Sequence, residues 1–157
     1  MTIAPRKKDV LATCLSNLES IIFGEFHASF LNSMTDLSLP SLKEVNFDHL
    51  GYVPGRKENL VPFLTKHGGK LRTVLLCIDH DVPVFDLCPN ITRFEYTDQD
   101  KIPNPSRFNC KVDHNALTKV IISCFNASDS PSNTRGWSQF FDALDLSRFP
   151  SLCEIQT

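Results

Sequence analysis

The stretch Leu117-Thr118-Lys119-Val120-Ile121-Ile122 decides the fold, because its frame of apolar-x-x-apolar-x-apolar recurs along the chain. Its β-branched residues are typical of a β-strand. Five other segments carry the same frame, and the last of them has Thr157 in its final position. They begin at Leu18, Leu42, Leu71, Ile91 and Leu152. Six copies of one strand pattern predict a repetitive protein, and no catalytic motif in the sequence is as prominent.

Helical patterns separate the strands and set a repeat length. The intervals between residues 18, 42, 71, 91, 117 and 152 are 24, 29, 20, 26 and 35 residues. A strand and a short helix in about 20–29 residues is the period of leucine-rich repeats. The longest interval is one such unit with an insertion in the polar loop before Trp137.

The spacing predicts an α/β fold, a leucine-rich-repeat-like solenoid of about six irregular repeats. Its parallel sheet lies on the concave side and its short helices lie outside. A doubly wound βαβ domain is the alternative, but it would not keep one frame through six strands. A chain of 157 residues is expected to form a single domain over residues 1–157.

Apolar residues at helical spacing place the helices between the strands. These helices are predicted at residues 8–15, 25–34, 59–67 and 82–87 and from Trp137 onward. Asn59 is predicted to cap the third helix, Pro62 to lie in its first turn, and Gly68-Gly69 to end it in a left-handed conformation. Residues 126–136 are predicted to form a loop, and residues 98–115 a loop with one helical turn.

The composition excludes several classes of function. The net charge of −2 argues against a nucleic-acid-binding surface, and the only dense basic run is Arg6-Lys7-Lys8. No run approaches the roughly 18 apolar residues of a membrane span. No apolar segment follows the basic N-terminal residues, so a secretory signal is not expected. We therefore predict a cytoplasmic or nuclear protein whose six cysteines are thiols.

The candidate binding surface follows from the alternation of side chains along a strand. Residues between the apolar positions point to the concave face, and their middle column contains aliphatic residues among polar ones. A surface of this kind is typical of a protein interface. The residues predicted to bind a protein partner are Glu44, Asn46, Asp48, Leu75, Arg93, Glu95, Lys119 and Ile121.

A small metal-dependent enzyme is the second hypothesis. Cys77-x-x-His80 and Cys110-x-x-x-His114 could supply four zinc ligands, but the C-x-x-C pair of most structural zinc sites is missing. No Gly-x-Ser-x-Gly motif is present, and Asp79-His80-Asp81 is equally typical of a polar turn. We therefore predict a protein that is not an enzyme and has no catalytic residue, metal or cofactor.

Four phrases of the sequence resemble the leucine-rich region of fungal F-box-like proteins, especially the large mushroom-type families. They are Leu39-Pro40-Ser41-Leu42-Lys43-Glu44-Val45, residues 63–72, Leu87-Cys88-Pro89-Asn90-Ile91 and residues 148–155. In that family an F-box recruits the Skp–cullin ubiquitin-ligase core, and the repeats bind the protein to be marked.

The resemblance implies binding of a protein partner by the repeats, as in substrate recognition of the F-box type. No F-box precedes the first repeat, so recruitment of the ligase core is not expected from this chain alone. The sequence opens on a helix and stops inside a strand. This indicates a fragment of a longer solenoid, or one whose last edge a partner covers. A truncated product without function is the third hypothesis.

Overall fold

Six strands form one parallel sheet in the computed structural model, which describes residues 15–24, 28–47, 56–77, 82–98, 102–124 and 131–157. The spatial order of the strands is their order in the chain. Each strand overlaps one of the six predicted segments, and the predicted α/β class with a parallel sheet is confirmed. The strands are β1 (Ser20–Ile22), β2 (Glu44–Phe47), β3 (Thr73–Cys77), β4 (Arg93–Asp98), β5 (Lys119–Cys124) and β6 (Glu154–Gln156).

Short helices connect the strands. The α-helices among the described residues are α1 (Ala28–Asp36), α2 (Arg56–His67), α3 (Val84–Leu87) and α4 (Pro131–Asp142). Within the same described ranges, three 3₁₀ turns accompany them at Gly68–Lys70, Pro105–Phe108 and Leu146–Arg148. The short helix predicted within residues 82–87 and the helical turn predicted within residues 98–115 are both present. The helix predicted at residues 8–15 lies almost wholly outside the described residues.

Helix α2 corrects three predictions. It begins at Arg56, so Asn59 lies inside the helix and does not cap it. Pro62 therefore lies in the helix interior, where it cannot donate to the carbonyl of Glu58 four residues earlier. At the other end, neither Gly68 nor Gly69 has the left-handed conformation. The chain instead tightens into the 3₁₀ turn Gly68–Lys70.

Helix α4 corrects a fourth prediction, because it begins within the expected loop 126–136. Pro131 is its first residue, a position where proline has no backbone N–H to leave unpaired and its fixed φ suits the helix. The polar composition of residues 131–136 hid this first turn and a half. The apolar spacing of Trp137 and Phe140 shows only the part of the helix that packs inward.

The apolar frame lies in one register through the whole sheet. Val45 pairs with Val74, Val74 with Phe94, Phe94 with Val120, and Val120 with Ile155. The next core position joins Phe47, Leu76, Tyr96 and Ile122 in the same way. These side chains share one core with the apolar residues of the four helices. The frame therefore defines one buried face of the sheet, with the described helices packed against it.

Aromatic rings fill this core. Phe23 and Phe47 lie parallel with their ring centroids 4.9 Å apart, and the ring of Phe63 from α2 meets both edge-on. In the second half of the sheet, Phe85 from α3 contacts Phe94 at 5.0 Å and Phe149 at 5.1 Å. Edge-to-face pairs of this kind add about 0.5–1.5 kcal/mol each to the burial of their apolar area.

A repeated hydrogen-bond pattern joins the starts of the strands. The carbonyl oxygen of Thr92 accepts from the backbone N–H groups of Thr118 and Lys119, at 2.9 and 3.1 Å. The same two-donor pattern recurs at every junction of the sheet. Its other acceptor carbonyls belong to Glu19, Lys43, Arg72 and Thr118. The residue after the first apolar position of each repeat therefore ties that repeat to the next.

A fourth buried position precedes each of the last five frames by three residues. In four of these five the backbone N–H of the first apolar residue donates to the carbonyl of this position, as from Leu42 to Leu39 at 3.2 Å and from Ile91 to Cys88 at 3.3 Å. The position is occupied in turn by Leu39, Gly68, Cys88, His114 and Phe149, all buried. The repeated frame is thus longer than the six-residue pattern of the sequence.

Gly68 occupies this fourth position because a side chain would not fit there. A Cβ at Gly68 would overlap the carbonyl oxygen of Leu87 at the end of α3 and crowd the sulfur of Cys88. A Cβ at Gly69 would meet no atom within 4 Å. Close contact between the turn after α2 and the end of α3 therefore requires glycine at residue 68 but not at residue 69.

We predict that Gly68→Ala lowers the free energy of unfolding by roughly 1–3 kcal/mol, since the overlap must be relieved by backbone movement. Gly69→Ala is the matched control, and its effect is expected to stay within about 0.5 kcal/mol. Urea unfolding followed by circular dichroism measures both. Equal stability of the two variants would contradict the close approach.

Candidate functional site

On the face of the sheet opposite the core, two columns of side chains run through all six strands, and a shorter third column contains Thr97 and Ser123 on β4 and β5. We call this surface the open face. Its start column consists of Ser20, Glu44, Thr73, Arg93, Lys119 and Glu154, which pair strand by strand. Its middle column consists of Ile22, Asn46, Leu75, Glu95, Ile121 and Gln156, paired in the same register.

Aliphatic side chains remain accessible on the open face. Ile22 is 68% exposed, although it is a large apolar residue in a strand. Leu75 and Ile121 are partly exposed, and neither belongs to the core or packs against it. By contrast, the neighbouring residues Val74 and Val120 are buried in the core. The apolar character of these three open-face positions is therefore not explained by packing in the core.

The aliphatic residues of the middle column alternate with polar ones. Ile22, Leu75 and Ile121 lie on β1, β3 and β5, whereas Asn46, Glu95 and Gln156 lie on β2, β4 and β6. An aliphatic residue therefore occupies the middle column on every second strand. This alternation spreads three apolar points along the stack instead of gathering them into one patch.

Ion pairs balance most of the charge on the open face. Arg93 Nε lies 2.5 Å from Glu95 Oε1, on the same strand, and Lys119 Nζ lies 2.7 Å from Glu154 Oε1, on the neighbouring strand. Glu44 is exposed on β2. The open face thus has two cations against three anions, a nearly neutral surface with a slight negative excess.

Seven of the eight predicted binding residues are described, and all seven lie on the open face. Glu44, Arg93 and Lys119 belong to the start column, and Asn46, Leu75, Glu95 and Ile121 to the middle column. Asp48 lies outside the described residues. The structure therefore brings the predicted residues together on one accessible surface, and their role in binding stays a prediction.

The predicted metal ligands are only partly described. His80 and the side chain of Cys77 lie outside the described residues. Within the described ranges, no three His, Cys, Asp or Glu side chains are placed to hold a metal ion. His114 is buried, and its Nε2 atom lies 3.0 Å from the carbonyl oxygen of Cys88. Burial, with Asp86 nearby, raises the pKa of the Cys110 thiol, which disfavours the thiolate that zinc binding requires.

Two buried histidines were not predicted as structural residues. His114 occupies the fourth buried position before Leu117, as Leu39 does before Leu42. His67 ends α2 and its ring lies 4.8 Å from the ring of Phe63. Both nitrogens of His67 are buried without a hydrogen bond of ordinary geometry among the described residues, and the nearby backbone of Met34 and Thr35 offers only weak interactions that raise the pKa of the ring. The sequence signal for His67 was its place on the apolar face of α2, with Leu60, Phe63 and Leu64.

The environment of His67 favours its neutral form. Burial lowers the pKa of the His67 imidazole from 6.5 to about 4, and the positive charges of Lys70 and Lys66 act in the same direction. In the unfolded chain the ring binds a proton as the pH falls through 6.5, whereas in the folded protein it stays neutral down to about 4. Acid therefore favours the unfolded state within this window.

We predict that protonation of His67 in the unfolded chain lowers the free energy of unfolding by about 3 kcal/mol as the pH falls from 6.5 to 4. Above pH 6.5 this effect is absent. His67→Phe keeps an aromatic ring beside Phe63 and removes the titration, so its stability should depend less on pH across this window. Urea unfolding at intervals between pH 7.5 and 4 measures both proteins. Parallel stability curves for the two would refute the assignment.

Comparisons of the chain with models of protein families, with curated proteins and with solved structures found no match. Among the described residues, no helix has both the length and the apolar character needed to cross a membrane.

Proposed function

We propose that the chain is a leucine-rich-repeat-like solenoid whose open face binds another protein. The observation that carries the proposal is the accessible Ile22, Leu75 and Ile121 on the face turned away from the core. Aliphatic anchors among polar neighbours are typical of a protein interface. The role is binding and not catalysis, and it requires no cofactor.

The strand order supports a solenoid. A doubly wound sheet reverses its strand order at a switch point, where its ligands bind. Here each strand pairs with its neighbour in the chain, without such a reversal from β1 to β6. The two-donor hydrogen bonds at the strand starts also recur at each junction, as expected for stacked repeats that contact mainly their neighbours.

The charge of the open face favours a protein over a nucleic acid. A surface that binds phosphates needs unpaired cations. On the open face Arg93 and Lys119 are each paired with a glutamate, and the acidic residues outnumber them. A partner with apolar side chains and balanced charge is the best match for this surface.

The resemblance to the repeats of fungal F-box-like proteins supports a more specific form of this proposal. In that family the repeats select the protein to be marked with ubiquitin. We extend the proposal to recognition of a protein substrate of this type. It does not include contact with the ligase core by this chain.

The test is an exchange of the charges of the Arg93–Glu95 pair. A natural partner is first isolated on the purified chain, identified by mass spectrometry and produced in pure form. The double variant Arg93→Glu/Glu95→Arg keeps an ion pair on β4 but reverses its direction, so we expect at least tenfold weaker binding by isothermal titration calorimetry. The fold should be retained, because exposed ion pairs contribute only about 0–1 kcal/mol.

The matched control is the ion pair between Lys43 and Glu19, whose Nζ and Oε1 atoms lie 2.9 Å apart. Both residues lie at the strand starts, outside the start and middle columns of the open face. Glu19→Lys/Lys43→Glu is expected to bind as the unaltered protein does. Unchanged affinity in the Arg93/Glu95 variant, with both variants folded, would refute binding at the open face.

A further inference from the structure

The open face has the size of a site for a single segment of a partner. Its six strands are about 4.8 Å apart, so the start and middle columns span about 24 Å along the stack. The third column is shorter, and its Thr97 is buried. A protein–protein interface of standard size would need about 20–30 residues on each side. The twelve residues of the start and middle columns instead match one helix or one extended segment of a partner.

We propose that this segment is an amphipathic α-helix lying across the strands, with aliphatic residues one heptad apart. The inference rests on the proposed function and specifies its partner. The helix would place three aliphatic side chains, at positions i, i+7 and i+14, over Ile22, Leu75 and Ile121 of the middle column.

The spacing of the aliphatic residues carries the argument. They lie on every second strand, so neighbouring ones are about 9.6 Å apart across the sheet. One heptad of α-helix rises about 10.5 Å. A helix that lies along the direction of stacking therefore departs from this spacing by only about 0.9 Å per heptad and stays over the middle column. One apolar stripe on the partner helix then contacts Ile22, Leu75 and Ile121, as in helix-in-groove recognition.

Other segments match the open face less well. An extended strand turns every second residue to the same side, about 6.7 Å apart, and so misses the middle anchor at Leu75. A polyproline II segment repeats every three residues, about 9.3 Å, which fits the spacing. Such segments are held by aromatic grooves. Neither the start column nor the middle column contains an aromatic residue.

The polar residues between the anchors define the remaining helix positions. Asn46 lies between Ile22 and Leu75, and Glu95 between Leu75 and Ile121. Helix residues at i+3 or i+4 and at i+10 or i+11 fall opposite them. Glu95 already accepts from Arg93, and its carboxylate can accept further hydrogen bonds. The partner helix should therefore carry a lysine, arginine or amide at i+10 or i+11, and no acidic residue there.

The test is selection of peptides on the purified, folded chain. Two phage libraries of 18-residue peptides are used, one with an alanine-rich helical background and one with a proline at every third position. We expect enrichment from the helical library, with Leu, Ile or Met at i, i+7 and i+14. The best peptide is synthesised, and its affinity is measured by fluorescence anisotropy against protein variants.

Ile22→Ser, Leu75→Ser and Ile121→Ser are each expected to weaken binding of that peptide at least tenfold. Val112→Ser is the matched control, because Val112 is 66% exposed, close to the 68% of Ile22, and lies outside the open face. It should bind normally. Ile22 is so exposed that its replacement should not affect folding, and circular dichroism checks every variant.

Enrichment of proline-rich peptides, or of helical peptides that bind all three variants normally, would overturn the inference. Absence of any enriched peptide would overturn it as well. If the Arg93/Glu95 exchange still weakens the natural complex in that case, the helix inference fails and the proposed function stands. If the exchange has no effect, the proposed function fails too.

Discussion

The two hydrogen bonds that join each strand start to the next are the contact on which the rest of the structure depends. Thr92 O binds the N–H groups of Thr118 and Lys119, and the equivalent carbonyl does so at every junction of the sheet. A slip of one residue would exchange the core face with the other face of a strand. The constant register therefore keeps Val74 and Phe94 buried, and it also assembles Leu75 and Glu95 into a continuous accessible column.

The strands and the open face could be predicted because their signal is local and repeated. Burial of one strand face requires apolar residues at fixed offsets, as in Leu71, Val74 and Leu76, and these offsets recur in full five times and in part a sixth. Once the frame is known, alternation places Leu75 on the opposite face without any knowledge of distant contacts. The offsets do not encode the chemistry of a partner for the proposed binding face, since such a partner's residues are not in this sequence.

The features that were missed depend on contacts between residues distant in sequence. Gly68 is required because the carbonyl of Leu87 approaches it, and nothing near residue 68 shows this. His114 was a candidate ligand by spacing, but it fills a core position that Leu39 fills in another repeat. Pro131 begins a helix whose first turns are polar, so the apolar spacing predicted only the later part.

Hydrogen exchange at the strand starts tests the central claim most directly, namely that the six repeats form one stack with a common register. The amides to follow by nuclear magnetic resonance are those of Arg72, Thr92 and Thr118, which donate to the preceding repeat at 2.6, 2.8 and 2.9 Å. We expect exchange at least about a thousandfold slower than in an unstructured peptide, because opening them requires separating two strands. Exchange at the unstructured rate, in a protein whose helices remain protected, would contradict the stack.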